Sequence, residues 1–202
     1  MGRVEKTVGF QDIAPSGYYL AIRVGFAFPV LEENKLPEEW VKIYTEQGFM
    51  LSDPVMKWVY AHTGAIRWSE MALEDPRAIL EQARKYRLNY GVAISHMDPD
   101  QEGLRSFAWF AHPQREFTDV EIEHLQQQIV SLHQAKAPPS NLTKAEKEVL
   151  VMVKEGLLLK EMAAILGISE GAIKQRLKNA KLKLGAKTSA HAATLSLEYG
   201  LI

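Results

Sequence analysis

From Ser169 to Gly185 the chain reads SEGAIKQRLKNAKLKLG, a stretch with five cations, Lys174, Arg176, Lys178, Lys181 and Lys183, and no acidic residue after Glu170. Ile173, Leu177, Ala180 and Leu184 recur at spacings of four, three and four, which makes one inward face of an α-helix. Lysine and arginine bond phosphate oxygens and guanine edges, and glutamine pairs with adenine. A helix with that exterior suits a polyanion. Lys174, Gln175 and Lys178 are the candidates to read base edges; Arg176, Lys181 and Lys183 are the candidates to hold phosphates. A solvated surface helix can carry the same charge run, so the neighbouring elements decide between the two readings.

Those neighbours are helical. LTKAEKEVLVMVKEG opens with Thr143 and Glu146, the spacing of a capping box. Val149, Leu150 and Val153 form its apolar stripe, and Gly156 suits a left-handed end. KEMAAILG buries Met162, Ala163 and Leu166 and stops at Gly167. A two-residue turn leads to Ser169, the cap of the basic helix, and Glu170 sits in its favourable first turn. A last helix follows Thr188 or Ser189 through Ala192, Leu195 and Leu197. Two helices joined by a short glycine turn, the second of them basic, describe a helix-turn-helix whose second helix enters the major groove.

Charge is distributed to match. From Leu142 to Ile202 there are ten Lys and Arg against six Glu, a net of +4; the other residues hold 14 cations and 19 acids, a net of −5. The whole chain of 202 residues is 47% hydrophobic, enough for a packed core, and has no cysteine, which excludes disulfides and thiolate chemistry. The opening MGRVEKTVGF has no signal-peptide run, and no stretch approaches the roughly 20 apolar residues of a membrane span. These features predict a soluble, cytoplasmic protein with no membrane partner.

The division falls at AKAPPSN, residues 135–141, where two prolines bar regular structure. This predicts a sensor-like domain over 1–134, a linker over 135–141 and a helical domain over 142–202. Before the linker, Thr118 and Glu121 form another capping box, and Val120, Leu125, Ile129 and Leu132 mark a helical stripe. Further upstream, GYYLAIRVGFAFPV reads as one strand. PEEWVKIYTEQG, PVMKWVYAHTG and DPRAILEQARKYRL read as helices, the second started by Pro54 after Asp53. NYGVAISHM and RSFAWFAH read as strands flanking a turn at DPDQEG. The fold class is therefore α+β: an N-terminal α/β/α sandwich around an antiparallel sheet, then an all-α helix-turn-helix domain of four helices.

With these elements in place, the last 60 or so residues resemble the DNA-binding domain of the LuxR family of bacterial transcription regulators. The likeness rests on Leu142, Thr143, Glu146, Leu150 and Gly156, then KEMAAILGIS, AIKQRLKNAKLKLG and TSAHAATLSL. The first part resembles the autoinducer-binding domain of the same family through Trp40, Tyr44, Asp53-Pro54 and Trp68, with Gly91 on the following strand. The resemblance implies a pocket for an acyl-homoserine lactone. In it Trp40 donates to a lactone carbonyl, Asp53 accepts from the ligand amide, and Tyr44 and Trp68 form walls. An indole N–H can only donate and a carboxylate can only accept, which suits those roles. It also implies double-stranded DNA and a small-molecule signal as partners, a homodimer, RNA polymerase downstream, and no cofactor beyond the signal. Two positions depart from the pattern: Leu36 stands where a tyrosine is common, and Trp109 aligns with a small hydroxyl residue.

Catalytic motifs are missing: there is no P-loop, G-x-S-x-G, H-E-x-x-H or G-x-G-x-x-G. The six histidines show no paired metal spacing in the sequence. The expectation is a ligand-responsive regulator of quorum-sensing type with no catalytic or metal residues. The alternatives are a response regulator or sigma-like factor with the same kind of DNA-binding end, or a LuxR-type regulator that needs no ligand. The response regulator lacks a receiver's acidic cluster after the first strand. The sigma-like factor lacks a basic, aromatic melting segment.

Overall fold

The computed structural model describes residues 9–25, 28–72, 74–98, 104–137, 139 and 141–202. Most of the expected DPDQEG turn, and Pro138 and Ser140 of the expected linker, lie outside these residues. Two compact units are present, one built on Met1–Arg23 and Leu31–Ala135, the other on Val24–Val30 and Lys136–Ile202.

The first unit is organised by a five-stranded antiparallel sheet in the order β2-β1-β5-β4-β3, with β1 at Gly17–Val24, β2 at Pro29–Asn34, β3 at Gly64–Arg67, β4 at Tyr90–Met97 and β5 at Arg105–His112. The segment read as one strand is thus two, β1 and β2. Gly25 donates back to the Phe28 carbonyl at 3.4 Å, joining the two strand ends; the continuous apolar run concealed the break. The four-residue β3 was not expected.

Side-chain alternation gives the sheet two different faces. Tyr18, Leu20, Ile22, Val92, Ile94, Ala108 and Phe110 pack with Leu125 and Ile129 of α5 (Asp119–Ala135) and with Ile13 of the short α1 (Phe10–Ile13). Thr118 and Glu121 form the expected reciprocal cap of α5. Val120 does not join the stripe: it is 76% exposed, and Ile122 packs inward instead. Five residues from Leu125, Val120 falls about 140° round the helix from it, whereas Ile122, three residues away, shares its face.

On the opposite face lie α2 (Glu38–Glu46), α3 (Pro54–Ala61) and α4 (Ile79–Arg84). Here Trp40, Phe49, Ile79, Ala83 and Leu88 pack with Ala111 of β5. The third helix is shorter than its sequence pattern. The Asp75 carboxylate takes the Ile79 and Leu80 N–H groups at 2.9 Å, which starts the helix late. Arg87 adopts a positive φ of 65° just past its end.

The second unit has four helices: α6 (Lys144–Lys154), α7 (Leu159–Leu166), α8 (Glu170–Leu184) and α9 (Ser189–Glu198). Thr143 and Glu146 complete their capping box, and Ser169 and Thr188 cap α8 and α9. Gly167 closes α7 at φ 63°, a left-handed conformation that glycine adopts without a Cβ clash. Ile173, Leu177, Ala180 and Leu184 all point into a core shared with Val149, Leu150, Met162 and Ala192.

Candidate ligand cavity and nucleic-acid interface

A cavity of about 220 Å³ lies in the first unit, and Trp40, Tyr44, Asp53 and Trp68 all line it. Trp40 is carried by α2, which begins directly after Pro37 and presents Trp40 inward at 4% exposure. Tyr44 follows one turn later on the same face, its ring edge-on to Trp40 with centroids 5.8 Å apart.

Asp53 is the N-cap of α3. Its Oδ1 accepts the Val55 N–H at 2.7 Å, and Pro54 holds the first helical position. Its Oδ2 accepts the Tyr44 hydroxyl at 2.7 Å. Burial pushes the Asp53 carboxyl up, and the hydrogen bonds from Tyr44, Val55 and Met56 oppose that shift. Burial, with the Asp53 charge beside it, pushes the Tyr44 phenol up as well, so it stays protonated and donates. A carboxylate offers about four acceptor sites, so Asp53 keeps capacity for a further donor from the cavity.

Trp68 comes immediately after β3, in a short 3-10 turn. Arg67, paired with Val92 in the sheet, also donates from Nε to the Phe117 carbonyl at 3.0 Å and bonds Glu70 and Asp119. That anchors the residue before the indole. Gly91 does not line the cavity; it makes room for it. A Cβ built on Gly91 would lie 2.2 Å from Cδ2 and Cε2 of Trp68, so the indole lies directly over the β4 backbone. The Trp68 Nε1 is buried and has no hydrogen-bond partner among the described residues. An unpaired buried donor costs roughly 1–3 kcal/mol, which marks it as a group a ligand acceptor would satisfy. Sequence reading gave Trp68 a wall role and missed this donor.

It also missed Tyr19, Glu32 and Asn34, which line the same cavity. Strict alternation along β1 was the available signal: Tyr18 faces α5, so Tyr19 must face the other way. The two departures from the family pattern, Leu36 and Trp109, both line the cavity as well.

A polar cluster buried between the sheet and α5 was invisible in the sequence. His133 Nε2 lies 2.9 Å from Asp98 Oδ2 and its Nδ1 lies 2.6 Å from Ser106 Oγ. Arg23 donates to the His133 carbonyl and to Asp98 Oδ2, and its amide donates to Ser106 Oγ. The order Ser–His–Asp matches a hydrolytic triad, but Ser106 is fully buried and its Oγ already takes the Arg23 amide, so no substrate reaches it. His96 joins Asp98 and His133 to offer three ligand atoms within 4.8 Å of one another. The Arg23 guanidinium on the same carboxylate disfavours a second cation there. Burial holds the His133 imidazole below its ordinary pKa, against the pull of Asp98.

On the second unit, Lys174, Gln175 and Lys178 are exposed along α8. Gln175 donates to Asn179 at 2.8 Å. Lys181 is half-buried, as is Arg176, whose Nη1 lies 3.7 Å from Glu148. Lys183 is not available for phosphate, a correction to the sequence reading. Its ammonium lies 2.7 Å from the buried Glu146 carboxylate and donates to the Asn141 carbonyl. Burial pushes Glu146 up, but Lys183 and Thr143 more than offset this and hold it below the ordinary 4.5. The pair's stabilisation is present above that ordinary value and is lost as pH falls through the lowered one. Replacing Lys183 with Ala is expected to destabilise the protein by about 1–3 kcal/mol, read by thermal denaturation. The salt slope of DNA binding should stay unchanged; a slope reduced by about one would return Lys183 to the phosphate contacts.

Comparison with known proteins bears on both sites. Residues 23–135 match the autoinducer binding domain model, and residues 140–196 match the model for bacterial regulatory proteins of the luxR family. The chain is 28% identical over 207 residues to the regulatory protein SdiA of Escherichia coli, covering 95% of this chain and 86% of that one. It is 31% identical over 186 residues to the transcriptional activator protein VanR of Vibrio anguillarum, covering 85% and 77%. A solved structure of SdiA in complex with octanoyl-rac-glycerol aligns with a TM-score of 0.54 at 25% identity, covering 100% of this chain and 90% of that one.

Proposed function

Because the chain belongs to the LuxR family, as a ligand-responsive, DNA-binding regulator of transcription, we propose that its signal is an acyl-homoserine lactone or a closely related small amphipathic molecule seated among Trp40, Tyr44, Asp53 and Trp68. The observation that carries this reading is one cavity holding both a buried acceptor with spare capacity, Asp53, and a buried donor with no partner, Trp68 Nε1. An N-acyl lactone presents the complements: one amide N–H and two carbonyl oxygens. Asp53 takes the N–H, Trp40 donates to the lactone carbonyl, Trp68 supplies a second donor, and Tyr44 steadies the Asp53 carboxylate. Gly91 seats Trp68. The octanoyl-glycerol held by the SdiA structure, a polar head on an apolar tail, supports the same ligand class.

Ligand burial stabilises the sensor by mass action, about 2.7 kcal/mol at a hundredfold excess over Kd. Lys174, Gln175 and Lys178 read base edges of duplex DNA, and Arg176 and Lys181 hold phosphates. The protein works as a cytoplasmic homodimer on a two-fold site, with RNA polymerase as its downstream partner. No described helix is long and apolar enough to cross a membrane. The working division is a sensor over 1–134, a linker over 135–141 and a DNA-binding domain over 142–202.

The test is mass spectrometry of ligand extracted from protein purified with and without supplied acyl-homoserine lactones. The expected result is a retained lactone that raises Tm. Recovery of no lactone and no shift would favour the ligand-independent alternative. For the DNA face, Lys178→Ala should weaken operator binding by about 1–3 kcal/mol and relax preference at one base pair. A uniform loss on all sequences, with the salt slope reduced by about one, would make Lys178 a phosphate contact instead.

A further inference from the structure

We infer that the cavity accepts only a short-chain signal, a homoserine lactone with an acyl group of about butanoyl size, and that Trp109, clamped against Tyr19, is the stop that sets this limit. The inference rests on the lactone reading above and narrows it to a ligand class. It starts from the floor of the cavity. On the β4 and β5 surface beneath it, Gly91 pairs with Ala111, and one step along Ala93 pairs with Trp109. The sheet surface is therefore low at the Gly91–Ala111 pair, which Trp68 covers, and high at the next pair, where the Trp109 indole reaches the cavity wall.

Trp109 is not free to swing aside. Tyr19 stacks on it with ring centroids 4.5 Å apart and planes 22° apart. Phe107 lies beside it on the same face of the sheet, nearly parallel, 6.0 Å from Trp109 and 6.4 Å from Tyr19. Tyr60 of α3 packs on Phe107 at 5.4 Å. The Tyr19 hydroxyl donates to Glu32 of β2 at 2.7 Å, so the outer ring of the stack is tied to the neighbouring strand. Trp109 is 9% exposed and Phe107 3%. Moving Trp109 would break two ring contacts and shift a hydrogen-bonded tyrosine.

Volume agrees with that geometry. The cavity holds about 220 Å³, below the roughly 300–1,000 Å³ of pockets that enclose drug-sized ligands. A pocket on that scale suits a lactone ring, an amide and a short acyl chain; an octanoyl or dodecanoyl chain would have to displace the stack. Leu36 adds apolar lining with no hydrogen-bonding side chain.

The experiment is calorimetric titration of the full-length protein with butanoyl-, hexanoyl-, octanoyl- and dodecanoyl-homoserine lactone, alongside Trp109→Ala and Tyr19→Ala. The wild type is expected to bind the butanoyl ligand at least tenfold more tightly than the dodecanoyl one. Either substitution should raise affinity for the longer chains at least tenfold without a matching gain for the short one. Equal binding of short and long chains by the wild type would overturn the inference and leave the lactone reading standing. No binding of any lactone by the wild type would overturn both. If neither variant folds, the wild-type series alone decides.

Discussion

Replacing Asp53 with asparagine is expected to remove most of the ligand-induced rise in Tm while the unliganded protein stays within about 1 kcal/mol of the parent. Asparagine is as good an N-cap as aspartate, so the bond to Val55 N–H survives. The position of Oδ2 becomes an amide NH2, which can donate to the Tyr44 oxygen, so that contact reverses its direction. The negative charge is what disappears. Hydrogen bonds to a charged group contribute roughly 1.5–3 kcal/mol, against about 1 kcal/mol for neutral pairs, so ligand affinity should fall by about tenfold or more. The unliganded protein loses little because burial already works against the charge. The Asp53 pKa is raised in the fold, so its contribution to stability is fully present below the unfolded-state pKa and is lost as pH rises through the folded one. Asparagine, which carries no charge at any pH, avoids that loss. Ligand binding has the opposite sign. An amide N–H favours the ionised carboxylate, so lactone affinity of the wild type should fall as pH drops through the raised Asp53 pKa, and the asparagine variant should lack that dependence. An undiminished thermal shift in the variant would place the ligand amide elsewhere.

Gly91→Ala should damage the ligand cavity through a single added methyl group. The new Cβ would lie 2.2 Å from two ring atoms of Trp68 and 2.5 Å from a third, with rigid backbone on the other side. The indole must lift from the sheet. Overpacking of this kind costs roughly 1–3 kcal/mol, a fall in Tm of about 2–4 °C for each kcal/mol in a chain of this size. Ligand binding should suffer more than stability, because a displaced Trp68 intrudes on the cavity and carries its N–H away. The double variant Gly91→Ala with Trp68→Ala separates the two effects. Stability should recover relative to the sum of the single changes, since the clash is gone, while ligand binding stays lost. Full additivity, or a Gly91→Ala protein with unchanged Tm and ligand response, would show that the indole is not held against β4.

Much of the molecule could be read before folding because the forces concerned act within one helical turn. The caps at Asp53, Thr143 and Ser169 join groups two or three residues apart, and the residue type there leaves few alternatives. The same range explains why Ile173, Leu177, Ala180 and Leu184 were correctly placed inward and Lys174, Gln175 and Lys178 outward. The spacing of Trp40, Tyr44, Asp53 and Trp68 was legible only through resemblance to a family, since nothing local says that a tryptophan lines a cavity instead of filling a core.

The chain order alone determined two units, the helix-turn-helix with its basic face, and the helix starts at Asp53 and Ser169, because hydrogen bonds and side-chain periodicity over a few residues are written directly in residue types. The tertiary structure decided which cation is spent internally, as Lys183 is on Glu146 37 positions away. It also decided that His133 meets Asp98 and Arg23, and that Gly91 lies beneath Trp68. Each of these depends on strand register or helix orientation, set by the simultaneous burial of many apolar groups and not by any short stretch of chain.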